Sequence, residues 1–117
     1  MYSDKALSRI KTIKKKIVFI ENIVMQYGSV QAALEDEQNG RASILMHLTS
    51  IAEQFDKLLH SGELEILSSF NKQDIKGSYE LRNFIAHDYE GIDLHIVEAV
   101  IKERLPIIKS SAESILS

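Results

Sequence analysis

Apolar residues recur at helical spacing along almost the whole chain. Between residues 4 and 27, Leu7, Ile10, Ile13, Ile17, Ile20 and Val24 step by three or four, which places them on one stripe of a helix. Val18, Phe19, Ile23 and Met25 widen that stripe, so the second half of this helix is expected to be covered on two sides. Gly28 reads as its stop and Ser29 as the cap of the next turn. A short helix is predicted over Val30 to Glu37, and Asn39-Gly40 is either a turn or a kink in a longer helix. The stripe of Ile44, Leu48, Ile51, Phe55, Leu58 and Leu59 predicts a second long helix over roughly 41–60, closed by Ser61-Gly62. Residues 63–77 are less regular, and Leu64, Ile66, Leu67 and Phe70 fit a short helix or a packed loop. Lys76-Gly77-Ser78 reads as a break, with Ser78 capping a helix that runs into residues 82–89. Gly91 closes that segment and Asp93 caps the last helix, where Leu94, Ile101, Ile108 and Ile115 recur beside Val97, Val100 and Leu105. Pro106 should bend this helix or free one of its carbonyls.

No strand alternation, repeat or low-complexity linker interrupts the pattern. The predicted fold is all-α, an antiparallel up-and-down bundle of four to five helices forming a single domain over residues 1–117. The apolar stripes exceed what a small bundle needs, notably over Ile17–Met25. That surplus fits a homodimer interface; the alternative is an ordinary buried central helix. The absence of cysteine excludes disulfides, thiol catalysis and cysteine–zinc sites. The N-terminus lacks the pattern of a signal peptide, and no apolar run approaches the roughly 20 residues of a membrane span. A soluble, cytoplasmic protein with no membrane partner is expected. The net charge of −3 hides an asymmetry: residues 1–27 carry six Lys/Arg against Asp4 and Glu21, and the rest carries eight against fifteen acids. A basic first helix on an acidic body suits RNA or an acidic partner, although such runs are commonly just solvated faces.

The candidate chemistry lies in Arg82-Asn83-Phe84-Ile85-Ala86-His87-Asp88-Tyr89. Arginine is a planar fork suited to phosphate. Histidine both takes and gives protons near neutrality. Together they point to phosphodiester chemistry without a metal or other cofactor. In attack of a ribose 2′-hydroxyl on the adjacent phosphate, His87 could serve as base or acid, and Arg82 could stabilise the phosphorane charge. Asn83 could orient His87 or bond a phosphate oxygen, and Asp88 stands beside it as a second supporting residue or as a plain surface partner of Arg82. On a straight helix Asn83 and His87 share a face, as do Arg82 and Tyr89. Arg82 and His87 diverge by roughly 140° and converge only if Arg82 reaches round or the helix ends near His87. One histidine does not readily perform both proton transfers; a symmetric dimer would supply a second. His87-Asp88 also has the form of a phosphohydrolase metal pair, but the upstream ligands are missing, and His47, His60 and His95 show no metal spacing.

The stretch Leu81 to Tyr89, followed by Ile92-Asp93 and a helix containing Leu105-Pro106, resembles the HepT-like proteins, small all-helical members of the HEPN superfamily. The likeness spans nearly the whole chain and includes the helix with Ile51-Ala52-Glu53. The chain departs from the family in Ala52-Glu53, often Gly-Glu there, and in having no tryptophan upstream of the arginine. The resemblance implies the toxin of a type VII-like toxin–antitoxin pair, a metal-independent endoribonuclease acting as a homodimer on RNA. It implies Arg82 and His87 as catalytic residues and Asn83 as the polar residue after the arginine. It also implies a small, MntA-like nucleotidyltransferase antitoxin that silences the toxin by AMPylation of Tyr89. A different reading, a non-catalytic nucleotide- or substrate-binding partner of a nucleotidyltransferase, leaves Arg82, His87 and Tyr89 with less to do.

Overall fold

A computed structural model describes residues 2–117. Helix α1 spans Asp4–Tyr27; the Ser3 side chain accepts the Ala6 N–H at 3.0 Å and starts it. Gly28 ends it in the left-handed region at φ 90°, where its N–H reaches the Val24 and Met25 carbonyls. Ser29 caps α2, Val30–Glu35, through the Ala32 N–H. This helix is shorter than the apolar pattern predicts. Asp36 leaves it, and its carboxylate accepts hydrogen bonds from the Tyr27 hydroxyl and the Asn39 N–H. A wide π-helical turn, Glu37–Arg41, then runs directly into α3, Ala42–His60, so Asn39-Gly40 is a kink and not a reversal. Gly40 is needed there because a Cβ would overlap the Ala33 carbonyl oxygen. After α3 come the short α4, Leu64–Leu67, and then α5, Lys72–His87. The last stretch is α6, Leu94–Ala99, a second π-helical turn at Val100–Arg104, and α7, Leu105–Leu116. Pro106 sits in the first turn of α7, where its missing N–H is tolerated, and the preceding wide turn absorbs the distortion.

One expected boundary is absent. Helix α5 runs unbroken through Lys76-Gly77-Ser78, and its cap is Asn71, whose side chain accepts the Gln73 N–H at 2.8 Å. Ser78 instead donates to the Ile75 carbonyl at 2.7 Å inside the helix. A mid-helix glycine costs only about 1 kcal/mol. Ile75, Tyr79, Leu81 and Ile85 pack against the core on both sides of Gly77, and that burial outweighs the cost.

The core is built from α1 (Ile10, Ile13, Ile17, Ile20), α3 (Ile44, Ile51, Phe55, Leu58) and the last helices (Val97, Leu105, Ile108). Phe70 meets Phe55 edge to face at 5.0 Å and plugs the α4 end. The pairs Arg9–Gln54 and Ser3–Glu63 run in opposite senses along α1 and α3. Lys14–Glu113 and Glu21–Lys109 do the same for α1 and α7, so both neighbours of α1 are antiparallel to it. Most of the Ile17–Met25 surplus is covered within the chain; Phe19 and Met25 stay exposed. Helix α5 packs on α3 but barely touches α7. The bundle is therefore open along that edge, with a groove of about 560 Å³ over Leu48 and Ile51. A half-buried ion pair crosses the edge: Arg104, partly exposed, grips the buried Asp74 through two hydrogen bonds of 2.7 and 2.9 Å. Among the described residues there is no strand, and no helix is long and apolar enough to cross a membrane.

Candidate active site

The C-terminal half of α5 carries Arg82, Asn83 and His87. Arg82 turns toward α3, where its Nη1 lies 3.7 Å from the Asp56 Oδ2. Its guanidinium also sits 5.6 Å from the centre of the Tyr79 ring. The guanidinium thus lies between a carboxylate and an aromatic face, and its side chain remains 26% exposed. The Tyr79 hydroxyl is buried with no hydrogen-bond partner. Burial pushes its pKa up, the Asp56 carboxylate adds to that, and Arg82 opposes it. Asp56 has a second neighbour. His60, the last residue of α3, places Nδ1 3.3 Å from the Asp56 Oδ1 and 2.9 Å from its main-chain oxygen.

His87 is the last residue of α5 and is exposed, as is Asn83 one turn before it. Asp88 leaves the helix at φ −150°, ψ 65°, while its N–H still bonds the Phe84 carbonyl at 2.8 Å. A single 3₁₀ turn, Tyr89–Gly91, follows. Gly91 approaches the Asp88 carboxylate so closely that a Cβ there would displace this exposed side chain. Tyr89 is half-buried and packs against the core.

These positions alter the picture drawn from a straight helix. Arg82 and Tyr89 do not share a helix face, because α5 stops at His87 and Tyr89 belongs to the next turn. Arg82 pairs with Asp56 on α3 and not with Asp88. The helix is regular across residues 82–87, so the two side chains start roughly 140° apart, and Arg82 extends toward α3 and not round to His87. Reading the sequence missed Asp56 and Tyr79 as neighbours of Arg82, and His60 as a neighbour of Asp56. A signal existed: Asp56 and His60 are four apart, one helical turn on one face.

The other histidines lie elsewhere. His47 is half-buried against Phe19 at 5.4 Å, with a buried Nδ1 that has no partner. Burial first, then nearby Lys16, holds its pKa below the usual value. His95 is exposed on α6. Among the described residues no group of three or more His, Asp and Glu side chains is arranged to hold a metal ion.

The opposite flank of α5 lines the open groove with Gly77, Leu81 and Phe84, facing Ile92 and Ile96. Phe84 is 47% exposed and Ile96 56%, so the groove and two apolar projections lie side by side.

The sequence model of one protein family, ribonuclease HepT-like, matches residues 13–115. Neither a curated protein nor a solved structure matches the chain.

Proposed function

The chain belongs to the HepT-like ribonuclease family, and from that premise we propose that it is a toxin endoribonuclease that cuts RNA without a metal. The observation that carries this reading is Arg82: a guanidinium drawn toward the Asp56 carboxylate and the Tyr79 ring, with part of its surface still open to solvent. An arginine offers five N–H donors, so it can keep Asp56 and still accept a phosphate on its free edge. Positioned in advance, it stabilises the charge that builds on the phosphorane when a 2′-hydroxyl attacks. His87, exposed at the helix end, transfers a proton, and Asn83 lies one turn away to bond a phosphate oxygen. Asp88 supports the site through its main-chain oxygen, which accepts the Gly91 N–H in the turn that follows.

The same reading includes a homodimer. A two-fold contact needs a surface that complements itself. The open edge of the bundle supports this reading, with Phe84 and Ile96 exposed beside an apolar groove. Phe84 is three residues before His87, so a contact centred on it draws both 82–89 segments toward the axis. It includes, too, a nucleotidyltransferase antitoxin that adds AMP to Tyr89. The added phosphate would stand at the end of α5 as a fixed anion and compete with RNA for the site.

The test is cleavage by Arg82→Ala and His87→Ala. Each should lose about 10²–10⁴ in rate while the helical circular dichroism signal stays unchanged. Full activity in His87→Ala would overturn the assignment.

A further inference from the structure

We propose that His60 is a second proton-transfer residue of this site, the base that takes the proton from the 2′-hydroxyl. The inference rests on the ribonuclease reading and supplies what that reading lacks within one chain, an imidazole on the side of α5 where Arg82 lies.

Three observations support it. The Asp56 carboxylate stands 3.7 Å from Nη1 of Arg82 and 3.3 Å from Nδ1 of His60, which brings the guanidinium and the imidazole to the same carboxylate. The two oxygen atoms nearest Nδ1, the Asp56 carbonyl and Oδ1, are both acceptors. Nδ1 must therefore carry the hydrogen in the neutral ring, which leaves the Nε2 lone pair free to accept a proton. Finally, the side chain is 75% exposed, so a ribose can reach Nε2.

The step balances without any further reactant. Nε2 of His60 takes the 2′-hydroxyl proton as the O2′–P bond forms. The P–O5′ bond breaks, and the protonated His87 of a second copy of this chain, brought to the site by the two-fold contact proposed above, gives a proton to the departing oxygen. The products are a 2′,3′-cyclic phosphate and a 5′-hydroxyl. The Asp56 carboxylate stabilises the His60 imidazolium, and Arg82 stabilises the phosphorane. Solvent then restores both histidines.

Two measurements on the full chain test the assignment. The first compares ordinary RNA with RNA carrying a 5′-bridging sulfur at the mapped cleavage site; a thiolate departs without a proton. His87→Ala should regain activity on the sulfur substrate. His60→Ala should be slowed about 10²–10⁴-fold on both substrates, because the hydroxyl still needs a base. Wild-type rates in His60→Ala on ordinary RNA, or recovery of that variant by sulfur, would overturn the role of His60 and leave the ribonuclease reading intact. No cleavage by the wild-type protein would overturn the ribonuclease reading itself. The second measurement is the ¹⁵N chemical shifts of His60 above its titration range. They should report the Nδ1–H tautomer; the Nε2–H tautomer would refute the geometry independently of any activity.

Discussion

Replacing Gly77 with alanine should stabilise the protein, although glycine stands there within a Lys-Gly-Ser stretch that has the look of a loop. Gly77 lies in the interior of α5, and a Cβ built on it meets nothing within 4 Å. The substitution therefore gains helix propensity, about 0.8–1.0 kcal/mol, with no steric cost to set against it. Unfolding entropy of about 2.1 cal/mol/K per residue over 117 residues comes to about 0.25 kcal/mol/K. Gly77→Ala should thus raise Tm by about 3–4 °C, followed by circular dichroism at 222 nm. Gly40→Ala is the control with the opposite sign. Its Cβ would overlap a backbone oxygen of Ala33 and press on the Tyr27 ring. Overpacking of about 1–3 kcal/mol lowers Tm by about 4–12 °C. A fall in Tm for Gly77→Ala would refute the continuous α5 helix, and with it the register that places Arg82 against Asp56. A rise for Gly40→Ala would refute the close approach of the π-helical turn to α2.

Light scattering should report a dimer that Phe84→Glu converts to monomer with its helicity unchanged; a wild-type monomer at high micromolar concentration would remove the shared-cleft proposal. Incubation with the nucleotidyltransferase proposed above, ATP and Mg²⁺ should add AMP mass that disappears in Tyr89→Phe. Equal inhibition of that variant would mean that silencing works through binding alone. Urea unfolding should show stability falling as pH drops below about 6.5. The folded-state pKa of His47 is depressed, so the unfolded chain takes up that proton first and is favoured from there down to the folded value. His47→Gln should flatten the slope between pH 7.5 and 5.5, and an unchanged slope would assign it to other groups.

The helices were largely legible because their signals are local. The stripe from Leu7 to Val24 and the glycine at position 28 define α1, and the stripe from Ile44 to Leu58 defines α3. Lys76-Gly77-Ser78 misled because its breaker residues compete with burial of Ile75, Tyr79 and Leu81, which depends on where α3 lies. The early end of α2 depends on the Tyr27 hydroxyl meeting Asp36, a contact between two elements. The segment 82–89 stood out by composition alone. Its surroundings did not, because Asp56 and His60 lie more than twenty positions upstream and join Arg82 only when α3 and α5 pack. The open α5–α7 edge is likewise a property of packing, since Leu81, Phe84 and Ile96 look like ordinary core positions in the chain.

Incubation of the purified protein with end-labelled RNA in excess EDTA, followed by analysis of the product ends, tests the central claim most directly. Arg82 and the histidines acting on a 2′-hydroxyl predict cleavage that persists in EDTA and leaves 2′,3′-cyclic phosphate or 3′-phosphate ends opposite 5′-hydroxyls. Cleavage that requires a divalent ion, or that leaves 5′-phosphate ends, would contradict it.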